Sequence, residues 1–180
     1  DKPLLHLFKT IQNKDYRIGF LATAFLSIGG YLMMPWGSAF SINNLGVTQD
    51  QLPLLFMLAG VSTLIIMPII GVISDRIDKF LLFTIASLWM VVTVLRYTNL
   101  TPVPFWIVVS VNILMMMGVM SRMIPSQALT SSVPEMKDRG AFMSINSSLQ
   151  QMSGGIAAAI GGMIVVQKNN FSPLEHFDIL

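Results

Sequence analysis

The 180-residue chain is 53% hydrophobic and 11% charged, with 11 Lys and Arg against 9 Asp and Glu and a mean hydropathy of +0.68. Soluble domains carry about 25% charged residues, so a soluble surface is excluded and an all-α integral membrane protein is expected. A net charge of +2 is too small to draw nucleic acid, and the absence of cysteine excludes a disulfide framework and thiolate metal sites.

The chain opens on Asp1 with no initiator methionine and no cleavable signal pattern, and reads as a piece of a longer protein. Residues 1–17 carry Lys2, Lys9, Lys14 and Arg17, with Leu4, Phe8 and Ile11 at helical spacing and Leu5 and Leu7 beside them. They predict a cytoplasmic amphipathic linker lying on the membrane surface, or a frayed linker. Five transmembrane helices follow over residues 18–167. Spanning needs about 20 apolar residues, which places them near 16–40, 51–74, 80–97, 105–126 and 140–167.

Gly29, Gly30 and Pro35 mark a kink in the first span. Thr48 or Asp50 is expected to cap the second, with Pro53 in its first turn. Residues 75–79 put four charges between the second and third spans. Lys79 and Arg96 bracket only 16 residues, so both side chains snorkel. Trp106 anchors the entry of the fourth span. A polar loop over 131–139 leads to the fifth span, where Gly154, Gly155, Gly161 and Gly162 are small residues suited to helix packing. The tail over 168–180 is polar and leaves no room for a sixth span.

With the N-terminus in the cytoplasm, nine basic residues fall inside (Lys2, Lys9, Lys14, Arg17, Arg76, Lys79, Arg122, Lys137 and Arg139) and two, Arg96 and Lys168, outside. That is the positive-inside pattern. No Asp, Glu, His or Lys lies in the middle of a span, which argues against a membrane-embedded enzyme. His6 and His176 lack partners at ligand spacing, so no metal and no cofactor is expected. The neutral polar residues form stripes. Thr23, Ser27, Gly30, Met34, Ser38 and Ser41 share one face of the first span, and Ser144, Ser148, Gln151 and Gly155 share one face of the fifth. Asn112 is the deep amide of the fourth, beside Met115, Met116 and Met117. These stripes either hydrogen-bond between helices or wall a cavity. The candidate cavity residues are Ser27, Tyr31, Met34, Asn112, Met116 and Gln151.

The charged connection resembles the signature of the major facilitator superfamily, Gly-x-x-x-Asp-Arg-x-Gly-Arg/Lys. Gly71, Asp75, Arg76 and Lys79 match it, while Asp78 replaces the second glycine and Phe80 a further basic residue. Val133-Pro134-Glu135 and Arg139-Gly140 resemble the family's connection from fourth to fifth helix. Leu114, four residues before Gly118, stands where N-terminal halves carry arginine, and Ala157-Ala158 stand where antiporters carry Gly-Pro. With the basic opening segment, these departures resemble the C-terminal half of a twelve-helix transporter, helices seven to eleven, with the twelfth missing.

The resemblance implies a secondary active transporter working by alternating access, proton-coupled and exporting drugs or amphiphilic metabolites. Uptake of a sugar or organic anion, or a non-transporting scaffold or receptor on the same fold, is the alternative. It implies a conformational latch at Gly71, Asp75, Arg76, Lys79 and Arg139. The partners implied are a small-molecule substrate, the lipid bilayer of the inner membrane and the N-terminal half of the same protein.

Overall fold

The computed structural model describes residues 3–166 and 172–177, the first three of these by backbone alone. Lys2, Lys168 and most of the polar tail lie outside the described residues. Seven α-helices account for most of the described residues: α1 (Pro3–Gln12), α2 (Lys14–Met33), α3 (Gly37–Asn43), α4 (Leu52–Arg76), α5 (Lys79–Thr98), α6 (Phe105–Ser132) and α7 (Arg139–Ile164). A 3-10 turn, Met34–Trp36, joins α2 to α3 at Pro35, which lacks the N–H that a continuous helix needs.

Four stretches are long and apolar enough to cross a membrane: Lys14–Asn43, Leu52–Arg76, Lys79–Thr98 and Phe105–Ser132. They coincide with the first four expected spans. α7 coincides with the fifth but is not among the four, since Ser144, Asn146, Ser147, Ser148, Gln150, Gln151 and Ser153 dilute its apolar content. α4 and α6 run through Pro68 and Pro125 without breaking. The hydroxyls inside the helices mostly bond back to their own chain: Thr63 to the Ala59 carbonyl, Ser87 to Phe83, Ser110 to Trp106, Ser144 to Gly140 and Ser148 to Ser144. A hydroxyl satisfied in this way can face lipid without a neighbouring helix.

The chain divides into two compact units. The first comprises residues 1–35 and 128–163. Its core is Tyr16, Phe20 and Phe142, with Ile145 and Leu149 packed against them. Phe20 stacks on Phe142 at 4.7 Å, and Tyr16 meets the same ring edge-on at 5.5 Å. α2 approaches α7 closely because Gly19 has no side chain; a Cβ there would lie 3.1 Å from the Phe142 ring.

The second unit comprises residues 36–127 and 164–180. Phe40 stacks on Phe177 at 4.1 Å and leans on Tyr97 at 5.2 Å, while Ser41 and Tyr97 share a hydrogen bond of 3.1 Å. The Asn44 amide clamps the Leu174 backbone, donating to its carbonyl at 3.0 Å and accepting from its N–H at 2.8 Å. α5 and α6 meet at Gly118, where a Cβ would lie 3.0 Å from Trp89. The Trp89 indole N–H donates to the Leu114 carbonyl.

Candidate functional site

The charged connection is built by two helix ends. α4 stops at Arg76, with the Ile77 N–H still bonded to the Ile73 carbonyl. Ile77 and Asp78 then turn extended, and α5 begins at Lys79. Asp78 caps α5: its Oδ1 accepts the Leu81 N–H at 2.9 Å. The residue that departs from the glycine of the signature therefore has a local structural task.

Asp75 and Arg76 are exposed and Lys79 is half-buried. Among the described residues none of the three forms an ion pair or a side-chain hydrogen bond. A Cβ on Gly71 would meet nothing within 4 Å. Gly71, Asp75, Arg76 and Lys79 thus sit together on one turn and the helix leading to it, presenting an unpaired carboxylate and two cations. Arg139 is exposed at the first position of α7, in the other unit.

The cavity candidates divide between the two units. In the first, Ser27 is buried and Tyr31, one turn on, covers Gly154 of α7, where a Cβ would lie 3.1 Å from the ring. Met34, at the end of α2, is 72% exposed, and Gln151 is exposed on α7. In the second unit, Asn112 and Met116 lie one turn apart on α6; Asn112 is buried and Met116 half-buried. The Asn112 amide makes no side-chain hydrogen bond among the described residues. Of the four glycines expected to pack, Gly154 is covered by Tyr31, a Cβ on Gly155 would meet nothing within 4 Å, Gly161 is buried and Gly162 exposed.

Two features were not anticipated. Arg122 lies well inside α6, because that helix continues to Ser132. Its guanidinium sits over the Phe83 ring at 5.8 Å, and its buried Nε has no partner among the described residues. The length of α6 hid this: the Ser131 and Ser132 hydroxyls bond back to Ala128 and Leu129 and extend the helix through a polar segment.

The second feature is a knot on Asp138 in the first unit. His6 Nε2 lies 2.8 Å from Asp138 Oδ1, and the Tyr16 hydroxyl donates to Oδ2 at 2.9 Å. The Glu135 N–H donates to the Tyr16 oxygen at 3.1 Å. The Asp138 carbonyl accepts the Phe142 N–H at 2.8 Å and so opens α7. The Tyr16 hydroxyl, ahead of His6 and Lys137, holds the Asp138 carboxyl below its usual range, against the opposing effect of desolvation. Lys137, bonded to Glu135 at 2.8 Å, is raised by that contact. No signal in the sequence links His6 to a residue 132 positions away. Among the described residues no group of three His, Cys, Asp or Glu side chains could hold a metal ion.

The family model described as the Major Facilitator Superfamily matches residues 19–171. No curated protein and no solved structure gives a match.

Proposed function

We infer, from the premise that the chain belongs to the Major Facilitator Superfamily, that it supplies one mobile half of a secondary active transporter. Membership makes it part of a multi-pass membrane transporter of that type. The finer reading is alternating access: two helical bundles rock around a site near the bilayer midplane. α7 is the fifth span, the N-terminus lies in the cytoplasm of the inner membrane, and the chain corresponds to helices seven to eleven. The partner bundle is the N-terminal half of the same protein.

The observation that carries this is the unpaired turn at residues 71–79. Among the described residues Asp75, Arg76 and Lys79 find no side-chain partner, and a Cβ on Gly71 would meet nothing within 4 Å. A carboxylate so placed can accept hydrogen bonds from the N-terminus of another helix, an interaction of about 0.3–1 kcal/mol from the helix dipole and more when partly buried. We assign Gly71, Asp75, Arg76, Lys79 and Arg139 to a cytoplasmic latch that holds one of the two access states. Ser27, Tyr31, Met34, Asn112, Met116 and Gln151 are assigned to the cavity wall. Neutral amides and methionines adapt to loosely specified amphiphiles, which favours proton-coupled export with the proton-binding carboxylate in the other half.

One observation favours a second reading. The unpaired Nε of Arg122 inside α6 suits an organic anion. Arg122→Gln would then abolish anion transport and leave export of a neutral amphiphile intact.

The latch is tested by Asp75→Asn in the full-length protein reconstituted in vesicles. Flux is expected to fall about tenfold, the equivalent of roughly 1.4 kcal/mol, at unchanged expression, with Asp75→Glu retaining part of it. Wild-type flux in Asp75→Asn contradicts the latch.

A further inference from the structure

We propose that α1 is a membrane-reading strap: its Phe8 and Ile11 face docks on an anionic bilayer leaflet, while its opposite face is tied through Asp138 to the start of α7. The transport reading leaves this segment without a task, and the inference does not depend on that reading.

α1 has two faces. Phe8 and Ile11, three residues apart, are 63% and 46% exposed. Leaving two large apolar side chains in water is unfavourable relative to burying them. His6, Thr10 and Asn13 occupy the opposite face, with Lys9 at its edge. They line a cleft of about 340 Å³ together with Tyr16, Lys137 and Asp138. Thr10 is buried, and its hydroxyl bonds back to the His6 carbonyl. The polar face is therefore the one that packs on the protein, and the apolar face is the one that points away. A helix that only needed to cover the protein would be turned the other way.

Position and charge identify the occupant. A single residue, Asn13, separates the end of α1 from Lys14, where the first apolar stretch begins, and Asn13 caps that stretch by accepting the Asp15 N–H. The helix is thereby held at the membrane boundary. Lys9, Lys14 and Arg17 are exposed near the apolar face; among the described residues of 6–17 the one exposed carboxylate is Asp15, and the exposed Glu135 is paired with Lys137. Apolar residues flanked by lysine and arginine at a span's edge match the acyl and headgroup layers of an anionic leaflet.

The tie to α7 is geometric. Asp138 receives His6 from α1 and Tyr16 from α2, and its own carbonyl accepts the Phe142 N–H. Seating or lifting α1 therefore moves a residue that opens α7.

These 180 residues hold no cysteine, so a single label is clean once any cysteine elsewhere in the full-length protein has been replaced. A bimane label on Ile11→Cys in the full-length protein, reconstituted in phosphatidylglycerol-containing and phosphatidylcholine vesicles, tests the docking. Quenching by a lipid-attached nitroxide, stronger with phosphatidylglycerol, is expected. Lys9→Gln and Lys14→Gln should each lower the docked population about fivefold. Quenching by aqueous iodide in both vesicles overturns the proposal. So does a label shielded from both quenchers, which means protein covers the face. A spin-label pair at Ile11→Cys and Ser144→Cys tests the tie. Its distance distribution should be narrow and should broaden in His6→Gln and in Asp138→Ala. A distribution unchanged in both variants overturns the tie.

Discussion

Asp78 shows how one departure from a family signature is absorbed. Its carboxylate caps α5 at 2.9 Å, so Asp78→Ala should cost about 1 kcal/mol. Asp78→Asn should be neutral and Asp78→Gly should cost only a few tenths. Thermal unfolding of the solubilised full-length protein measures the difference; equal loss in Ala and Asn would remove the cap. Gly154 and Gly155 separate in the same way. A Cβ at Gly154 meets the Tyr31 ring at 3.1 Å, while Gly155 faces open space. Gly154→Ala should therefore destabilise by about 1–3 kcal/mol and be partly rescued by Tyr31→Leu. Gly155→Ala should stay within about 0.5 kcal/mol of wild type. The sequence alone marked both glycines as small residues suited to helix packing, because residue size does not report what stands opposite each position. Asp138 carries the pH prediction. Its folded-state pKa is depressed below the ordinary carboxylate value, chiefly by the Tyr16 hydroxyl, so its stabilisation is present above the unfolded value and is lost as pH falls through the folded one. Tyr16→Phe and His6→Gln should each raise the Asp138 pKa, read by carboxyl NMR; an unmoved pKa contradicts the knot.

Among the helices, most of the order was legible because apolar runs are punctuated by Pro and charge. Three details were not. A cap from Thr48 or Asp50 was expected, but the direction is reversed: the Thr48 N–H donates to the Gln51 side chain at 3.2 Å, and Gln51 occupies the cap position without its side chain capping an N–H of α4. Pro35 makes a 3-10 turn where a kink was expected. α6 outruns its expected end at 126 by six residues, since backbone-bonded serines hide the polarity of its last turn. These outcomes depend on side chains choosing between local partners, and the apolar pattern carries no information on that choice. The pairing of α2 with α7 through Gly19 and Phe142 is likewise tertiary. Replacing Phe142, which is fully buried, by Ala should cost about 3–5 kcal/mol and loosen the first unit before the second.

For the whole protein, the family and the all-α class were readable from residues 71–79 together with the sparse charge, and the family match over residues 19–171 carries the same reading. The proposed latch was less legible, because its role depends on what it meets: among the described residues the Asp75 side chain has no hydrogen-bond or ion-pair partner and a Cβ on Gly71 would meet nothing within 4 Å. Alternating access is the central claim, and side-resolved labelling tests it most directly. A single cysteine at Met116 in the full-length protein, otherwise free of cysteine, would be treated with an impermeant thiol reagent from each side of sealed vesicles. The account predicts labelling from both faces, with Asp75→Asn shifting the two rates in opposite directions. Labelling confined to one face, unmoved by Asp75→Asn, would contradict it.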